Sequence, residues 1–169
     1  MNTGLLLFSM VLIFKAGLIF NAGKKPYQQQ SFDKSGYYHV MASGDLAAVD
    51  SELVVLVHTM PGEKDAYEGA LQMKKAGLLH RPKDKLAVFR SGAIKLESAL
   101  AKDSSNGEYH FLRLIIQEHA PAVVHYNKNQ EIDSRYVLKT FKTLSPVVRK
   151  AILDYSEHSK LIRANELNG

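Results

Sequence analysis

Apolar residues recur every three or four positions along most of the chain from residue 31 onward, which is the spacing of one face of an α-helix. The clearest stripe follows Pro82 and runs from Leu86 to Leu100, with charged residues on the other faces. The sequence shows no sustained alternation of apolar and polar residues, the pattern of a half-buried strand. It therefore predicts an all-α domain of six or seven antiparallel helices in hairpin arrangement.

Turn and capping residues set the predicted helix boundaries. Asp45 and Ser145 stand at N-cap positions, and Pro146 suits the first turn of the last helix. Gly77 stands where the third helix is predicted to end. The predicted helices cover residues 31–42, 45–59, 63–76, 82–102, 108–118 and 131–143, with a seventh from residue 145 and a tail from residue 159 that continues it.

Residues 53–57 are the place where a strand would be expected, because this run is rich in β-branched valine. Its context favours a helix, since Asp45 precedes it as a cap and the apolar residues from Leu46 to Leu56 recur at helical spacing. A strand at this position would overturn the all-α prediction.

The first 22 residues resemble a secretory signal. Residues 5–20 are almost entirely apolar, and small residues at Ala22 and Gly23 suit cleavage after Ala22. A polar linker, residues 23–30, and a single domain, residues 31–169, would follow. The positive charges come after the apolar run, so an uncleaved membrane anchor is the alternative. The expected location is periplasmic or secreted, or membrane-anchored if the segment is retained.

Composition removes several classes of function. The net charge of +5 comes from basic residues scattered along the chain, whereas nucleic-acid binders concentrate them on one face or in one run. The chain has no cysteine, which excludes disulfides, thiolate metal sites and cysteine nucleophiles. The seven histidines show no metal-binding spacing, and motifs for a serine nucleophile or a phosphate loop are missing. We therefore expect a protein that is not an enzyme, with no metal and no cofactor.

One polar face on the predicted fifth helix is the candidate binding site. His110, Arg113 and Gln117 fall at positions i, i+3 and i+7 and share a face of an otherwise apolar helix. Arginine can bind a carboxylate through two hydrogen bonds, so this face, with Tyr126 and Asn127 of the next connection, is a candidate groove for a carboxylate or a peptide backbone. The alternative is that these side chains hold residues 126–130 in place by hydrogen bonds.

The fourth and fifth helices resemble part of a tetratricopeptide repeat (TPR). Gly92, Leu96 and Ala99 have the small, large, small spacing of its second helix, Ser104 stands at the place of its final proline, and residues 106–112 resemble the start of a next repeat. Further similarity, to exported TPR-like proteins of Bacteroidota-type bacteria, lies in residues 43–46, 76–78 and 113–118. The resemblance implies an all-α helical-hairpin fold and brings no activity or site residues.

These patterns together predict a protein- or peptide-binding adaptor or accessory protein of the bacterial cell envelope. Two alternatives stay open. One is a small envelope enzyme with a site at the helix junction near Arg113, His119 and His125, which would require convergent ionisable groups in a pocket. The other is a membrane-tethered structural protein that uses residues 4–22 as its anchor.

Overall fold

The computed structural model describes residues 32–59 and 64–167, and these ranges form helices and no β-strand. The prediction of an all-α fold is confirmed, and residues 53–57 lie within a helix. The segments predicted as signal and linker, residues 1–22 and 23–30, lie outside the described ranges. The helices are α1 (Lys34–Ala42), α2 (Leu46–Thr59), α3 (Lys64–Leu78), α4 (Pro82–Lys102), α5 (Gly107–His119), α6 (Gln130–Thr140), α7 (Pro146–Ser156) and α8 (Ala164–Leu167), with 3₁₀ turns at Ala122–Val124 and Phe141–Thr143.

Side-chain caps begin four of these helices. The carboxylate of Asp45 accepts a hydrogen bond from the Ala47 amide at 2.8 Å, and the Ser145 hydroxyl accepts one from the Val148 amide at 3.4 Å, as the sequence predicts. Asp33 and Asn106 cap α1 and α5 in the same way. Each cap satisfies backbone N–H groups that have no partner within the helix.

Three predictions about where helices end are wrong. Helix α3 continues to Leu78, so Gly77 lies inside it, and no glycine in the described ranges adopts a positive φ. A Cβ atom at Gly77 would meet nothing within 4 Å, which shows that no close contact forces the helix to end there. The predicted sixth helix also divides, because Phe141–Thr143 tightens into a 3₁₀ turn ahead of Ser145 and Pro146. The predicted tail does not continue α7 either, since irregular backbone leads from α7 to the separate short helix α8.

Helices α3 and α4 form the tightest hairpin, at a contact between two glycines. A Cβ atom placed on Gly69 would lie 2.6 Å from the carbonyl oxygen of Gly92, and one on Gly92 would lie 2.5 Å from the carbonyl oxygen of Gly69. Only glycine permits backbones to approach so closely. The small residue that the sequence places at Gly92 therefore serves helix packing.

Helix α5 occupies the centre of the domain and packs against α3, α4 and α6. Its residues Phe111, Leu112 and Leu114 are completely buried, which agrees with its apolar residues on most sides. Around it, buried tyrosines join α1 to its neighbours, since the Tyr37 hydroxyl donates to the Tyr67 carbonyl at 3.0 Å and the Tyr38 hydroxyl donates to a carboxylate of α5 at 3.0 Å.

The last described residues are held to α5 by one carboxylate. Glu118 accepts hydrogen bonds from the hydroxyls of Tyr155 and Ser159, both at 2.7 Å, and from the backbone amide of Lys160 at 2.8 Å. The connection after α7 therefore folds back over the end of α5, where Ile162 becomes fully buried.

Candidate functional site

The predicted site residue Arg113 lies in a buried cluster between α4, α5 and α6. Its Nε and Nη2 atoms donate to the two carboxylate oxygens of Asp133 at 2.8 and 2.7 Å, and Nη1 donates to Glu97 at 2.7 Å. Burial alone would lower the pKa of Arg113, but these two carboxylates raise it above its usual value. The guanidinium is thus permanently charged and is neutralised by carboxylates of its own chain.

His110 and Tyr126 extend this cluster. The Nδ1 atom of His110 lies 2.6 Å from Asp133, Nε2 lies 2.9 Å from the Ser104 carbonyl oxygen, and the ring stacks on Tyr136 with centroids 4.0 Å apart. The Tyr126 hydroxyl donates to Glu97 at 2.6 Å, and burial together with this bond raises the pKa of Tyr126. We call His110, Arg113, Asp133, Glu97 and Tyr126 the polar cluster.

The other two predicted residues lie beside the polar cluster. Gln117 is buried, its backbone carbonyl accepts a hydrogen bond from the Gln130 side chain at 2.9 Å, and its Oε1 atom has no hydrogen-bond partner among the described residues. Asn127 is exposed. Tyr126 ties the connection to Glu97 of α4, and Gln130 ties the start of α6 to the backbone of α5, which is the arrangement expected if these residues are structural.

The residues proposed for an enzymatic site lie in different surroundings. Arg113 belongs to the polar cluster, whereas the Nδ1 atom of His119 lies 2.9 Å from the Ile115 carbonyl oxygen at the end of α5. His125 is exposed in a left-handed backbone conformation with φ 50°. Within residues 32–59 and 64–167, no group of three or more histidine, aspartate or glutamate side chains is arranged to hold a metal ion.

A wide groove of about 1540 Å³ lies on another side of α5. Phe111, Ile115 and Ile116 of α5 form its floor, and the end of α3 with the first half of α4 forms one wall. Helix α1 and α7 form the opposite wall, and the 3₁₀ turn after α5 contributes Val123 and Val124. None of the five predicted site residues lines this groove.

Apolar side chains dominate the surface of the groove, and several of them are open to solvent. Leu86 of α4 is 40% exposed, Val147 of α7 is 39% exposed and Val123 is 80% exposed. Met41 and Met73 lie below them. A contiguous apolar surface of this kind is unusual on an isolated folded domain.

Positive charge concentrates on the α3–α4 wall. Lys74, Lys85 and Arg90 line the groove, and none of them forms an ion pair with a carboxylate in the described part of the chain. Partial burial lowers the pKa of Lys74, because its ammonium group loses water beside the apolar wall. On the opposite wall, Lys150 pairs with Asp154 at 2.7 Å.

The chain matches no known family model, and it matches no curated protein and no solved structure at a significant level. None of the helices in the described ranges is sufficiently long and apolar to span a lipid bilayer. The candidate site is therefore identified only from the positions and chemistry of the residues described above. Leu86 is the sequence signal from which the groove could have been predicted. It begins the apolar stripe of α4, yet its side chain is partly exposed and lines the groove.

Proposed function

We propose that this domain is a non-catalytic protein- or peptide-binding module, an adaptor or accessory protein of the bacterial cell envelope. The observation that supports this proposal is the open apolar groove of about 1540 Å³ between the α3–α4 hairpin and the α1–α7 wall. Helical hairpins that present such a groove bind partner segments through apolar contact, with polar residues at the rim setting orientation. The TPR-like resemblance in residues 92–112 supports the same class.

The polar cluster has a structural part in this proposal. Arg113 already has three hydrogen bonds to Asp133 and Glu97, so a ligand carboxylate would have to displace Glu97 or the completely buried Asp133 to reach it. Exchange of one paired carboxylate for another offers little net free energy. The cluster instead fixes α4, α5 and α6 relative to one another and thereby sets the shape of the groove floor.

A pair of matched substitutions tests the groove. Peptides enriched from a displayed library by the full-length protein would be measured by fluorescence anisotropy against Leu86→Asp and Ile94→Asp. Both residues are exposed on α4, at 40% and 71%, but only Leu86 lines the groove. We expect Leu86→Asp to weaken binding at least tenfold, because an aspartate would be desolvated under the ligand, and Ile94→Asp to change it less than twofold.

Two results would contradict the proposed function. The first is a failure to enrich any peptide above a control without the domain. The second is an equal loss of affinity in the two variants, which would place the binding surface outside the groove.

The envelope location rests on the sequence of residues 1–22. Intact mass of the exported protein distinguishes cleavage after Ala22 from retention of the segment as an anchor. Recovery of the chain only from the cytoplasm, at full mass, would contradict an envelope adaptor while leaving peptide binding untouched.

A further inference from the structure

The volume of the groove suits a helix better than a small molecule. Its volume of about 1540 Å³ exceeds the roughly 300–1,000 Å³ of most small-molecule pockets. A helix with its side chains is roughly 10 Å across and rises about 1.5 Å per residue, so this volume corresponds to about 13 residues of helix. An amphipathic helix that places its apolar face on the groove floor fits this space.

The charge on the α3–α4 wall indicates which charged side chains that helix would carry. Elsewhere on α3 and α4, Lys75 pairs with Asp50 at 2.6 Å and Lys102 pairs with Asp65 at 3.2 Å. The three cations of α3 and α4 that line the groove, Lys74, Lys85 and Arg90, have no such carboxylate among the described residues. They form one unneutralised positive edge along an apolar surface, and a ligand with negative side chains would neutralise it.

The opposite wall does not repeat this charge. On α7, Lys150 is paired with Asp154, and Glu157 directly after the helix adds a second carboxylate, so this wall carries one positive and two negative charges. The groove is therefore positive along α3–α4 and slightly negative along α7. A bound helix with acidic side chains on one flank would meet favourable charge in only one rotational orientation.

We propose that the groove binds an amphipathic helix of about 13 residues with aspartate or glutamate on the flank that faces Lys74, Lys85 and Arg90. This inference rests on the proposed peptide-binding function and specifies the partner. Apolar side chains of the ligand contact the floor formed by α5, and its carboxylates pair with the three cations at the edge. The contribution of those pairs is largest at low salt, because exposed charges are screened within about 10 Å at 0.1 M.

Two designed peptides test the charge preference. Both have leucines at helical spacing, and they differ only in one flank, which carries glutamates in the first peptide and lysines in the second. Fluorescence anisotropy with the full chain at low salt should show the glutamate peptide binding at least tenfold more tightly. Three exposed charge contacts, each of the usual small size, account for about that ratio.

A substitution pair on α4 locates the effect. Lys85 lines the groove and Lys83, two residues away, does not, so Lys85→Glu and Lys83→Glu make the same change in net charge at neighbouring positions. We expect Lys85→Glu to weaken the glutamate peptide about fivefold and to strengthen the lysine peptide. Lys83→Glu should change either affinity less than twofold.

The outcomes separate this inference from the proposed function. Peptide binding that depends on Leu86 but is indifferent to flank charge, or that favours lysine, would overturn the acidic partner and leave the groove as a peptide site. Binding of neither designed peptide, with no peptide enriched from a library, would overturn both. Binding of palmitate with no binding of peptides would also overturn both and assign the groove to an acyl chain.

A photoreactive phenylalanine analogue at position 86 of the full chain identifies other occupants. Cross-linking to residues 5–20 of the same chain would assign the groove to this chain's own apolar segment. Cross-linking between two copies, with a dimer in sedimentation velocity, would assign it to self-association. Either result would overturn the proposal, whereas cross-linking to the glutamate peptide alone supports it.

Discussion

Removal of the Asp133 side chain tests whether the polar cluster holds α5 against α6. Asp133 is completely buried and accepts three hydrogen bonds, two from Arg113 and one from His110. The substitution Asp133→Ala leaves the guanidinium with one remaining carboxylate, that of Glu97, and leaves the Nδ1 atom of His110 without its partner. The change is confined to α6, away from the groove.

The expected cost follows from breaking a buried ion pair by deleting one partner, which destabilises proteins by about 3–5 kcal/mol. Arg113 keeps its hydrogen bond to Glu97, whose side chain is 41% exposed, so part of the charge stays compensated. We therefore expect the free energy of unfolding to fall by about 3 kcal/mol, near the lower end of that range. For a domain of this size, Tm should fall by roughly 6–12 °C.

Urea denaturation followed by circular dichroism measures the loss, with Asp154→Ala as the matched control. Asp154 pairs with Lys150 in an exposed i,i+4 arrangement, with side chains 63% and 74% exposed, and such pairs contribute only about 0.3–0.5 kcal/mol. The two variants remove the same chemical group from a helix. A loss for Asp133→Ala within about 0.5 kcal/mol of the control would refute the reasoning, because it would show that the buried carboxylate is not needed to compensate Arg113.

Other substitutions and conditions test the remaining features. Gly92→Ala should destabilise the domain by about 1–3 kcal/mol in urea denaturation, because its methyl group would collide with the backbone of Gly69, whereas Gly77→Ala, with open space, should stabilise it by about 0.5–1 kcal/mol. An equal effect of both would contradict the close helix contact. Glu118→Ala should remove the protection of the amides of residues 160–162 against hydrogen exchange, while the amides of α5 stay protected. Unchanged protection of residues 160–162 would contradict the role of the Glu118 carboxylate in holding them to α5. Burial raises the pKa of five tyrosines, which stay neutral in the folded state above the pH at which they ionise when unfolded. Their contribution to stability should therefore be constant up to about pH 10 and fall above it, and a stability that does not fall between about pH 10 and 11 would contradict their burial. These tyrosines are Tyr37, Tyr38, Tyr67, Tyr126 and Tyr155.

The helices were predictable because their signals are local. The apolar period and the caps at Asp45 and Ser145 depend on residues within one or two turns, and the structure has α2 and α7 where those signals place them. Gly77 misled the prediction because an exposed glycine at the end of a helix costs little, so α3 gains two more residues without strain. The signal segment, residues 1–22, stays a prediction.

The partners of Arg113 could not be predicted, since they lie 16 and 20 residues away along the chain, at Glu97 and Asp133. The sequence required that a buried arginine have a partner, but many carboxylates qualified. The groove could not be predicted from the sequence for the same reason. Its walls come from helices whose arrangement in space is fixed by packing, so the exposure of Leu86 or Val147 does not follow from the local sequence pattern.

The groove depends on helices from both ends of the described domain, and this has a consequence during protein synthesis. The α7 wall is made late and must fold against α1, which was made more than a hundred residues earlier. A nascent or partly unfolded chain therefore lacks the surface that a partner would recognise. A partner that recognises the groove would accordingly bind only chains whose domain is completely folded. Chains that are partly synthesised or partly unfolded would not enter an assembly with that partner.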